Sequence, residues 1–432
     1  MRRQEDAMQV HLKYGSEGLD LEFPETSNFK GVLYPAEAEP LAEPAAAVEE
    51  AVNAPIGAAP LQTLAHGKND AVIVISDITR PVPNALLLPI ICGELEAAGM
   101  PRDQITILIA TGIHRPNEGE ELERLVGKEI ATNYQVLNHF SKQQEDMVLV
   151  GHVGDGVPAY VNRHYVAADL KILTGFIEPH MWAGFSGGRK SILPGISSVQ
   201  TLEFMHGPEM VAHPKTAYGV LDGNPFHQAG LEIMAKAGAD FIVNVTLDTS
   251  KRVTGVFAGH PVEAHLQGVE FLSRHCIKNL DEPLDFVVTT NAGAPLDCNL
   301  YQTAKGLSGV SGATREGGVI LIATECLEGF GSEEYRAVFE HATSPAAFIE
   351  KLLRKEFFMP DQWCAQETYQ VMLKNEVWVY THGIADETLE RFHFSPVNDI
   401  SRSIEQLLWR FGQDARWAIV PDGPMLILRV AN

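Results

Sequence analysis

Apolar runs and helix-like runs alternate along the chain from about residue 70. The run NDAVIVIS is followed by NALLLPIICGELEAAGM, then by QITILIATG and by the polar helix candidate EGEELERLVG. Short apolar runs bounded by turn residues are typical of buried strands, whereas longer runs of helix formers are typical of helices. The alternation continues to about residue 275 through ADLKILTG, NPFHQAGLEIMAKAGA, DFIVNVTL and VEAHLQGVEFLSRHCI. This order predicts an α/β fold with a mainly parallel sheet.

A second α/β domain is predicted after the polar segment KNLDEP at 278–283, because the new strand LDFVVTT begins directly after it. The alternation then repeats with GGVILIATE and a helix-rich stretch at 333–356. We therefore expect an N-terminal domain at 1–277 and a C-terminal domain at 284–405. The tail at 406–432 could belong to either domain, and packing back on the N-terminal domain is one of the two possibilities.

The chain is acidic, with 33 Lys and Arg against 56 Asp and Glu and a formal net charge of -23. Such a charge repels phosphate backbones and anionic membranes, so nucleic acid is not expected as a partner. An anionic small substrate would need a local cluster of cationic side chains. No stretch approaches about 18 unbroken apolar residues, so no membrane span is expected either.

Cysteine usage favours a reducing compartment. The cysteines are widely spaced, odd in number and without a CxxC pair, which argues against a disulfide framework and against a zinc ribbon. They are Cys92, Cys276, Cys298, Cys326 and Cys364. Together with an N-terminus that lacks an apolar signal segment, this predicts a cytoplasmic protein.

Polar segments directly follow three of the predicted strands. SDITRPVPN follows VIVI, ATGIHRPN follows ITILI, and TGFIEPHMWAGFSGGRKSILPG follows DLKIL. A parallel sheet presents the carboxyl ends of its strands at one edge, where ligands usually bind. A single His or Arg in such a loop is more often a solvated or capping residue, but three loops at one edge predict a site.

The segment GFSGGRKS at 184–191 nearly matches the phosphate loop G-x-x-x-x-G-K-S, but Arg189 stands where that motif requires its second glycine. A nucleotide-binding kinase or hydrolase is therefore one alternative, and a simple Gly-rich turn is another. The histidines match neither HExxH nor a Cys/His zinc pattern, so a hydrolytic zinc site is not favoured.

Five segments in order resemble the motifs of the nickel-dependent lactate racemase family: SDITRPVP, TGIHRPN, GFIEPHMWAGFSGGRKSILPGISS, HGPEM and PLDCNLYQTAKG. The resemblance spans at least residues 70–330. It implies a racemase or epimerase of 2-hydroxy acids, built from two α/β domains with the active site in the cleft between them. Lactate, larger aliphatic or aromatic hydroxy acids, dicarboxylic acids and sugar acids all remain possible substrates.

The resemblance also implies a cofactor bound by the N-terminal domain. This is a nickel-pincer nucleotide, pyridinium-3,5-bisthiocarboxylic acid mononucleotide, which is made by maturation enzymes that become implied partners. By position, Lys190 resembles its covalent tether and His206 resembles the nickel ligand. Soft sulfur donors combined with imidazole suit nickel. Further cofactor contacts are implied for Asp77, Ile78, Thr79 and Arg80.

The chemistry of a 2-hydroxy acid explains the remaining implied residues. The carboxylate makes the Cα–H poorly acidic, and hydride transfer avoids the carbanion. His114 and His180 resemble the two general acid/base residues, and a histidine can exchange a proton near neutral pH. The implied substrate contacts are Arg80, Tyr301, Gln302, Lys305 and Trp363. A non-catalytic, cofactor-binding homologue is a further alternative, which the presence of both histidines makes less attractive.

Overall fold

The computed structural model describes residues 7–154 and 156–431, which form two compact units. Unit one contains residues 37–206 and 220–275, and unit two contains residues 7–36, 207–219 and 276–431. Each unit is built around a mainly parallel sheet with helices, which confirms the predicted α/β class.

The strands and helices alternate along most of the chain. The strands are β1 (Ala7–Leu12), β2 (Leu19–Pro24), β3 (Phe29–Val32), β4 (Ala71–Ser76), β5 (Ile105–Ala110), β6 (Gln135–Asn138), β7 (Met147–Val153), β8 (Val157–Asn162), β9 (Leu170–Phe176), β10 (Pro179–His180), β11 (Gly184–Phe185), β12 (Phe241–Leu247), β13 (Val253–Gly259), β14 (Ile277–Leu280), β15 (Leu284–Thr290), β16 (Thr314–Ala323), β17 (Glu376–Tyr380), β18 (Ser395–Val397), β19 (Trp417–Val420) and β20 (Ile427–Val430).

The helices are α1 (Pro44–Asn53), α2 (Leu61–Ala65), α3 (Asn84–Ala97), α4 (Gly119–Val126), α5 (Lys128–Asn133), α6 (Arg163–Ala167), α7 (Val199–Met205), α8 (Pro208–Val211), α9 (Pro225–Ala237), α10 (Glu263–Cys276), α11 (Leu300–Ser311), α12 (Glu333–Phe339), α13 (Pro345–Leu353), α14 (Gln362–Met372), α15 (Asp386–Arg391) and α16 (Ile400–Phe411). Short 3-10 turns include Gly188–Ser191 and Gly423–Met425.

The sheet of unit one has the strand order β13-β12-β9-β4-β5-β6. Strand β4 pairs in parallel with β9 on one side and with β5 on the other, and β13 joins the edge in antiparallel orientation. Residues 71–75 of β4 are all buried, as expected for a strand covered on both faces. Because these three neighbouring strands are parallel, the loops that follow β9, β4 and β5 leave the sheet side by side at one edge.

The sheet of unit two has the strand order β18-β17-β16-β15-β19-β3, and its pairs are parallel. Its core includes a stack of aromatic rings. Trp417 on β19 is fully buried and lies 5.1 Å from Phe286 and 4.4 Å from Phe29, measured between ring centroids. Strand β3, from the beginning of the chain, therefore closes a sheet made otherwise from its end.

The division of the chain differs from the predicted boundaries. Residues 7–36 were expected in the N-terminal domain but belong to unit two, because β3 pairs with β19 and β1 and β2 pack into the same core. The tail at 406–432 also lies in unit two over its described residues, where β19 and β20 pair with β15 and β14. Nothing in the apolar pattern indicates which distant strand completes a sheet.

Among the described residues, no helix combines the length and the apolar character that crossing a membrane requires.

We expect the Trp417→Ala substitution to lower the free energy of unfolding by about 3–5 kcal/mol, because it leaves a cavity between Phe29 and Phe286. Urea unfolding followed by circular dichroism would measure the loss. The matched control is Trp409→Ala, since Trp409 is 87% exposed on α16, and it should change stability by less than about 0.5 kcal/mol. Equal midpoints for the two variants would contradict the role given to the stack.

Candidate active site

A buried carboxylate holds a histidine at the carboxyl ends of β4 and β5. Asp77 directly follows β4 and is 3% exposed, and its Oδ2 lies 2.6 Å from Nδ1 of His114, which follows β5. Thr79 donates its hydroxyl and its backbone N–H to the other carboxylate oxygen. Burial by itself would raise the pKa of Asp77, but the hydrogen bonds from His114 and Thr79 outweigh burial and hold this pKa below its usual range. An ionised Asp77 accepts the proton of Nδ1, so the neutral His114 ring carries its lone pair on Nε2.

Buried polar groups fix the two loops that carry this pair. Asn117 is 1% exposed and accepts a hydrogen bond from the backbone N–H of Ile78, while its own backbone exchanges two hydrogen bonds with Asn138. His139 accepts the Thr111 hydroxyl through its backbone carbonyl, and its Nε2 donates to the carbonyl of Ser197 over 3.0 Å. The loop carrying His114 is therefore tied both to β6 and to the segment after β9.

The third loop begins with a short hairpin in which β10 pairs with β11. His180 ends β10, and its Nδ1 accepts the backbone N–H groups of Trp182 and Ala183 at 3.2 Å each. A ring nitrogen that accepts two N–H groups must carry a lone pair, so the proton of neutral His180 is on Nε2. His114 and His180 are therefore held in opposite tautomers.

The Gly-rich segment after this hairpin is packed against the protein through its backbone. The N–H of Ser186 donates to Glu178, that of Gly188 to the side chain of Asn244, and that of Lys190 to Gly187. A phosphate loop needs such N–H groups to point at its ligand. These contacts disfavour the kinase or hydrolase alternative.

His206 lies at the end of α7, and its Nδ1 donates to the carbonyl of Leu202 over 2.9 Å. The neutral ring therefore has its lone pair on Nε2. Trp182 contacts the His206 ring edge to face at 5.1 Å, and Phe226 does so at 5.7 Å. Burial, with a smaller contribution from the charge of nearby Lys190, lowers the pKa of His206 to about 4, although the hydrogen bond to Leu202 acts in the opposite direction.

The three loops meet at one edge of the sheet, as predicted. The backbone N–H of Gly112, in the loop with His114, donates to Gly195 over 3.0 Å, four residues after Ser191 in the segment that carries Lys190. Gly195 has no room for a side chain, because a Cβ there would lie 2.9 Å from that of Ala110. Unit one thus gathers His114, His180, Lys190 and His206 on neighbouring segments.

Arg80 is less closely integrated than the rest of its loop. Its side chain is exposed, and its guanidinium contacts Thr79 rather than the Asp77 carboxylate. Ile78 is also exposed, at 37%.

The site residues predicted in unit two share two packed helices. Nε1 of Trp363 on α14 donates to the hydroxyl of Tyr301 on α11 over 3.1 Å. Asn299 caps α11 by accepting the N–H of Gln302, and Lys305 follows about one turn later. Burial raises the pKa of Tyr301 well above its usual value. Tyr301 and Trp363 are therefore joined by a hydrogen bond between α11 and α14, and their contact with substrate stays a prediction.

Comparison with known proteins places the chain in a family. Residues 14–219 match the family model for the lactate racemase N-terminal domain, and residues 280–428 match that for the lactate racemase C-terminal domain. The chain belongs to the lactate racemase family. It is 38% identical over 384 residues to the lactate racemase of Thermoanaerobacterium thermosaccharolyticum, covering 88% of this chain and 90% of that protein. It is 34% identical over 385 residues to the lactate racemase of Lactiplantibacillus plantarum, with the same coverage.

Solved structures agree with the lactate racemase assignment. The apoprotein of the Thermoanaerobacterium thermosaccharolyticum lactate racemase superposes with a TM-score of 0.90 at 36% identity, covering 98% of this chain and all of that one. A structural-genomics target from Thermotoga maritima has a TM-score of 0.67 at 20% identity, covering 91% of this chain and all of that one, and shows the shared fold. The resemblance inferred from the sequence is confirmed, and the relatives are isomerases by name.

Several residues that support the candidate site were not predicted. Asn117 lies in the quoted segment TGIHRPN but was given no role, and His139 gave no distinctive signal, because a single His after a strand is common. Asn244 had a signal, since it interrupts the apolar run FIVNVTL with a polar side chain that is fully buried. Asn224 also had one, because Asn followed by Pro is a frequent beginning of a helix.

We expect the stability of the protein to depend on the protonation of His139. Burial lowers its pKa to about 4, against about 6.5 in an unfolded chain. The contribution of neutral His139 to the free energy of unfolding is therefore complete above about pH 6.5. It is lost as the pH falls towards 4, because only the unfolded chain takes up the proton in that range. Urea midpoints between pH 7.5 and pH 4.5 would show the decline.

The His139→Gln variant should start from a lower midpoint and decline less steeply, because Gln can donate to Ser197 but does not titrate. The control is His152→Gln, an exposed position on β7, which should keep the wild-type slope. An unchanged slope in His139→Gln would exclude His139 as the titrating group.

Proposed function

We propose that this chain racemises a 2-hydroxy acid, with lactate as the first candidate, by reversible hydride transfer that uses a nickel-pincer nucleotide tethered to Lys190. The observation that carries the proposal is the arrangement of His114, His180, Lys190 and His206 on adjoining loops of unit one. The names of the relatives support the reaction type and the substrate class. In this proposal the protein is cytoplasmic and depends on cofactor-maturation enzymes.

The residues present fit such a group. Among the described residues, no cluster of three or more His, Cys, Asp or Glu side chains could hold a metal by itself. A nickel ion with one protein ligand therefore needs its other donors from a bound molecule. His206 suits the role of that one ligand, because its hydrogen bond to Leu202 fixes the tautomer with the lone pair on Nε2. Lys190 lies close enough for its charge to act on His206 and would supply the tether.

When bound, the nickel-pincer nucleotide would supply an acceptor that takes the hydrogen of the substrate Cα as hydride and gives it back. The side chains of the protein would then accept and return the proton of the substrate hydroxyl. His114 begins as the acceptor, because Asp77 holds its Nδ1–H and leaves the Nε2 lone pair for the proton. The Asp77 carboxylate also stabilises the imidazolium that this transfer forms.

His180 begins in the complementary state. Its Nε2–H can donate a hydrogen bond to the substrate oxygen, and accepting a proton requires replacement of the two backbone N–H contacts at Nδ1. For one turnover to balance, the proton that His114 takes from the hydroxyl would return to the product oxygen, because neutral His180 can donate a hydrogen bond through Nε2–H but cannot give up that proton. Arg80, an exposed cation in an acidic chain, can bind the carboxylate through its planar guanidinium. Gln302, Lys305, Tyr301 and Trp363 stay predicted substrate contacts.

The cofactor part is tested on protein produced together with the maturation enzymes and purified without oxygen. We expect a nucleotide-sized adduct on the Lys190 peptide by mass spectrometry and near-stoichiometric nickel. Lys190→Arg should lose the adduct, His206→Gln should keep it with less nickel, and Lys171→Arg on β9 should behave like the wild type. An unmodified Lys190 without nickel, in a host that matures a known lactate racemase, would refute this part.

The reaction is tested by racemisation of one lactate enantiomer in D₂O. We expect the product to retain hydrogen at Cα, because hydride moves within the site, whereas a carbanion would pick up solvent deuterium. Mass spectrometry and proton NMR would measure the isotope content. Deuterium incorporation at the rate of racemisation would contradict the mechanism. If nickel-loaded protein turned over neither lactate nor a panel of other 2-hydroxy acids, this result would favour the alternative that the chain is a non-catalytic, cofactor-binding homologue.

A further inference from the structure

Two buried side chains outside the implied catalytic set hold the turn next to His180. Arg189, which is 2% exposed, donates from Nη2 to the carbonyl of Ala183 over 2.7 Å. Asn224, which is fully buried, donates from Nδ2 to the carbonyl of Trp182 over 2.7 Å. These carbonyls belong to the two peptide groups on either side of Ala183. The position of Ala183 is therefore fixed from both directions.

The same turn supplies the two hydrogen bonds that determine the tautomer of His180. The N–H groups of Trp182 and Ala183 both point at Nδ1. The Ala183 N–H shares its peptide group with the carbonyl that Asn224 holds. A shift of this peptide would move one of the two donors away from Nδ1 and so weaken the preference for a proton on Nε2.

Arg189 is itself fixed in place. Its Nη1 also donates to the carbonyl of Gly187 over 3.2 Å and lies 3.1 Å from Nε2 of His265. Its aliphatic stem packs on Gly230 of α9, where an added Cβ would lie 2.7 Å from Cγ of Arg189. Burial lowers the pKa of Arg189 to about 9, so it stays charged at neutral pH. A buried cation is costly unless its N–H groups are bonded. The hydrogen bonds of Nη1 and Nη2 to backbone carbonyls lead back to the Gly-rich segment and the hairpin, whereas the buried Nε has no hydrogen-bond partner among the described residues.

The side-chain oxygen and nitrogen of Asn224 have separate tasks. Its Oδ1 accepts the N–H groups of Phe226 and His227 and so caps α9. Its Nδ2 donates to Trp182 and, over 2.9 Å, to Val220. The variant Asn224→Asp keeps the oxygen that caps the helix and removes the donor that holds Trp182.

We propose that Arg189 and Asn224 are positioning residues that hold His180 in its Nε2-protonated tautomer by fixing the peptide groups around Ala183. They act through this turn and not on the substrate. The catalytic consequence rests on the proposed function, whereas the effect on the tautomer does not.

The direct test is NMR of imidazole nitrogens in protein with ¹⁵N-labelled histidine, without cofactor. The His180 signals are assigned from their absence in His180→Gln. We expect wild-type His180 to show a protonated Nε2 and an unprotonated Nδ1. In Arg189→Met and Asn224→Asp the ¹⁵N chemical shifts of Nδ1 and Nε2 should move towards each other, as they do when the two tautomers exchange. Arg189→Lys should move them less, because an ammonium can reach one carbonyl. The control is Arg252→Met, which removes an exposed arginine in the turn between β12 and β13 that is paired with Asp248. It should leave the His180 nitrogen shifts unchanged.

The second readout is kinetic and uses nickel-loaded protein. Arg189→Met and Asn224→Asp should lower kcat about 10- to 100-fold, since small misplacements of a catalytic group have effects of this size, while KM changes by less than about threefold. Arg189→Lys should recover part of kcat. Circular dichroism and the unfolding midpoint identify variants that fail to fold. In that event Gly230→Ala, which pushes the Arg189 stem without removing its charge, is measured by NMR instead and should shift the same signals.

Unchanged His180 nitrogen shifts in folded Arg189→Met and Asn224→Asp would overturn the proposal, whatever the kinetics. Altered shifts in a protein without racemase activity would support the positioning role and count against the proposed function. Altered His180 nitrogen shifts with an unchanged kcat would refute the proposed effect of Arg189 and Asn224 on catalysis.

Discussion

Strand β4 forms parallel hydrogen bonds with β9 on one side and with β5 on the other, and the loops that follow these strands carry the candidate site of unit one. Parallel pairing requires the carboxyl ends of neighbouring strands to lie at the same edge. Asp77, His114 and His180 are more than one hundred residues apart along the chain at their extremes, yet each follows one of these strands closely. Residues 71–75 of β4 are apolar and buried on both faces, which keeps this strand in the interior of the sheet between β9 and β5.

In the loops after these strands, hydrogen bonds determine the tautomer of each histidine ring. A carboxylate at Nδ1 gives His114 one tautomer, and two backbone N–H groups at Nδ1 give His180 the other. A backbone carbonyl at Nδ1 of His206 leaves its lone pair on Nε2. The same type of side chain thus presents either a lone pair or an N–H group at Nε2, according to the group that contacts Nδ1, and the proposed roles of the three histidines rest on that difference.

Much of the fold and of the candidate site could be predicted from the sequence, and the reasons are physical. Buried parallel strands are nearly continuous apolar runs, so β4, β5 and β9 were recognisable, and so were the polar loops after them. The partner of β3 could not be predicted, because backbone pairing leaves no mark in a four-residue strand. Asn117, Asn224 and Arg189 were missed as supporting residues, since their value lies in contacts with distant carbonyl and N–H groups. Family motifs gave the implied roles of Lys190 and His206, which composition and spacing alone would not have given.

The pairing of β3 with β19 has a consequence for biosynthesis. Residues 29–32 leave the ribosome well before their partner on β19. All of unit one, up to residue 275, is synthesised in the meantime and can fold first. Until Trp417 is made, Phe29 lacks this partner and can pack only against residues made earlier, such as Phe23. Completion of the second sheet is the late, slow step expected for contacts of such long sequence separation.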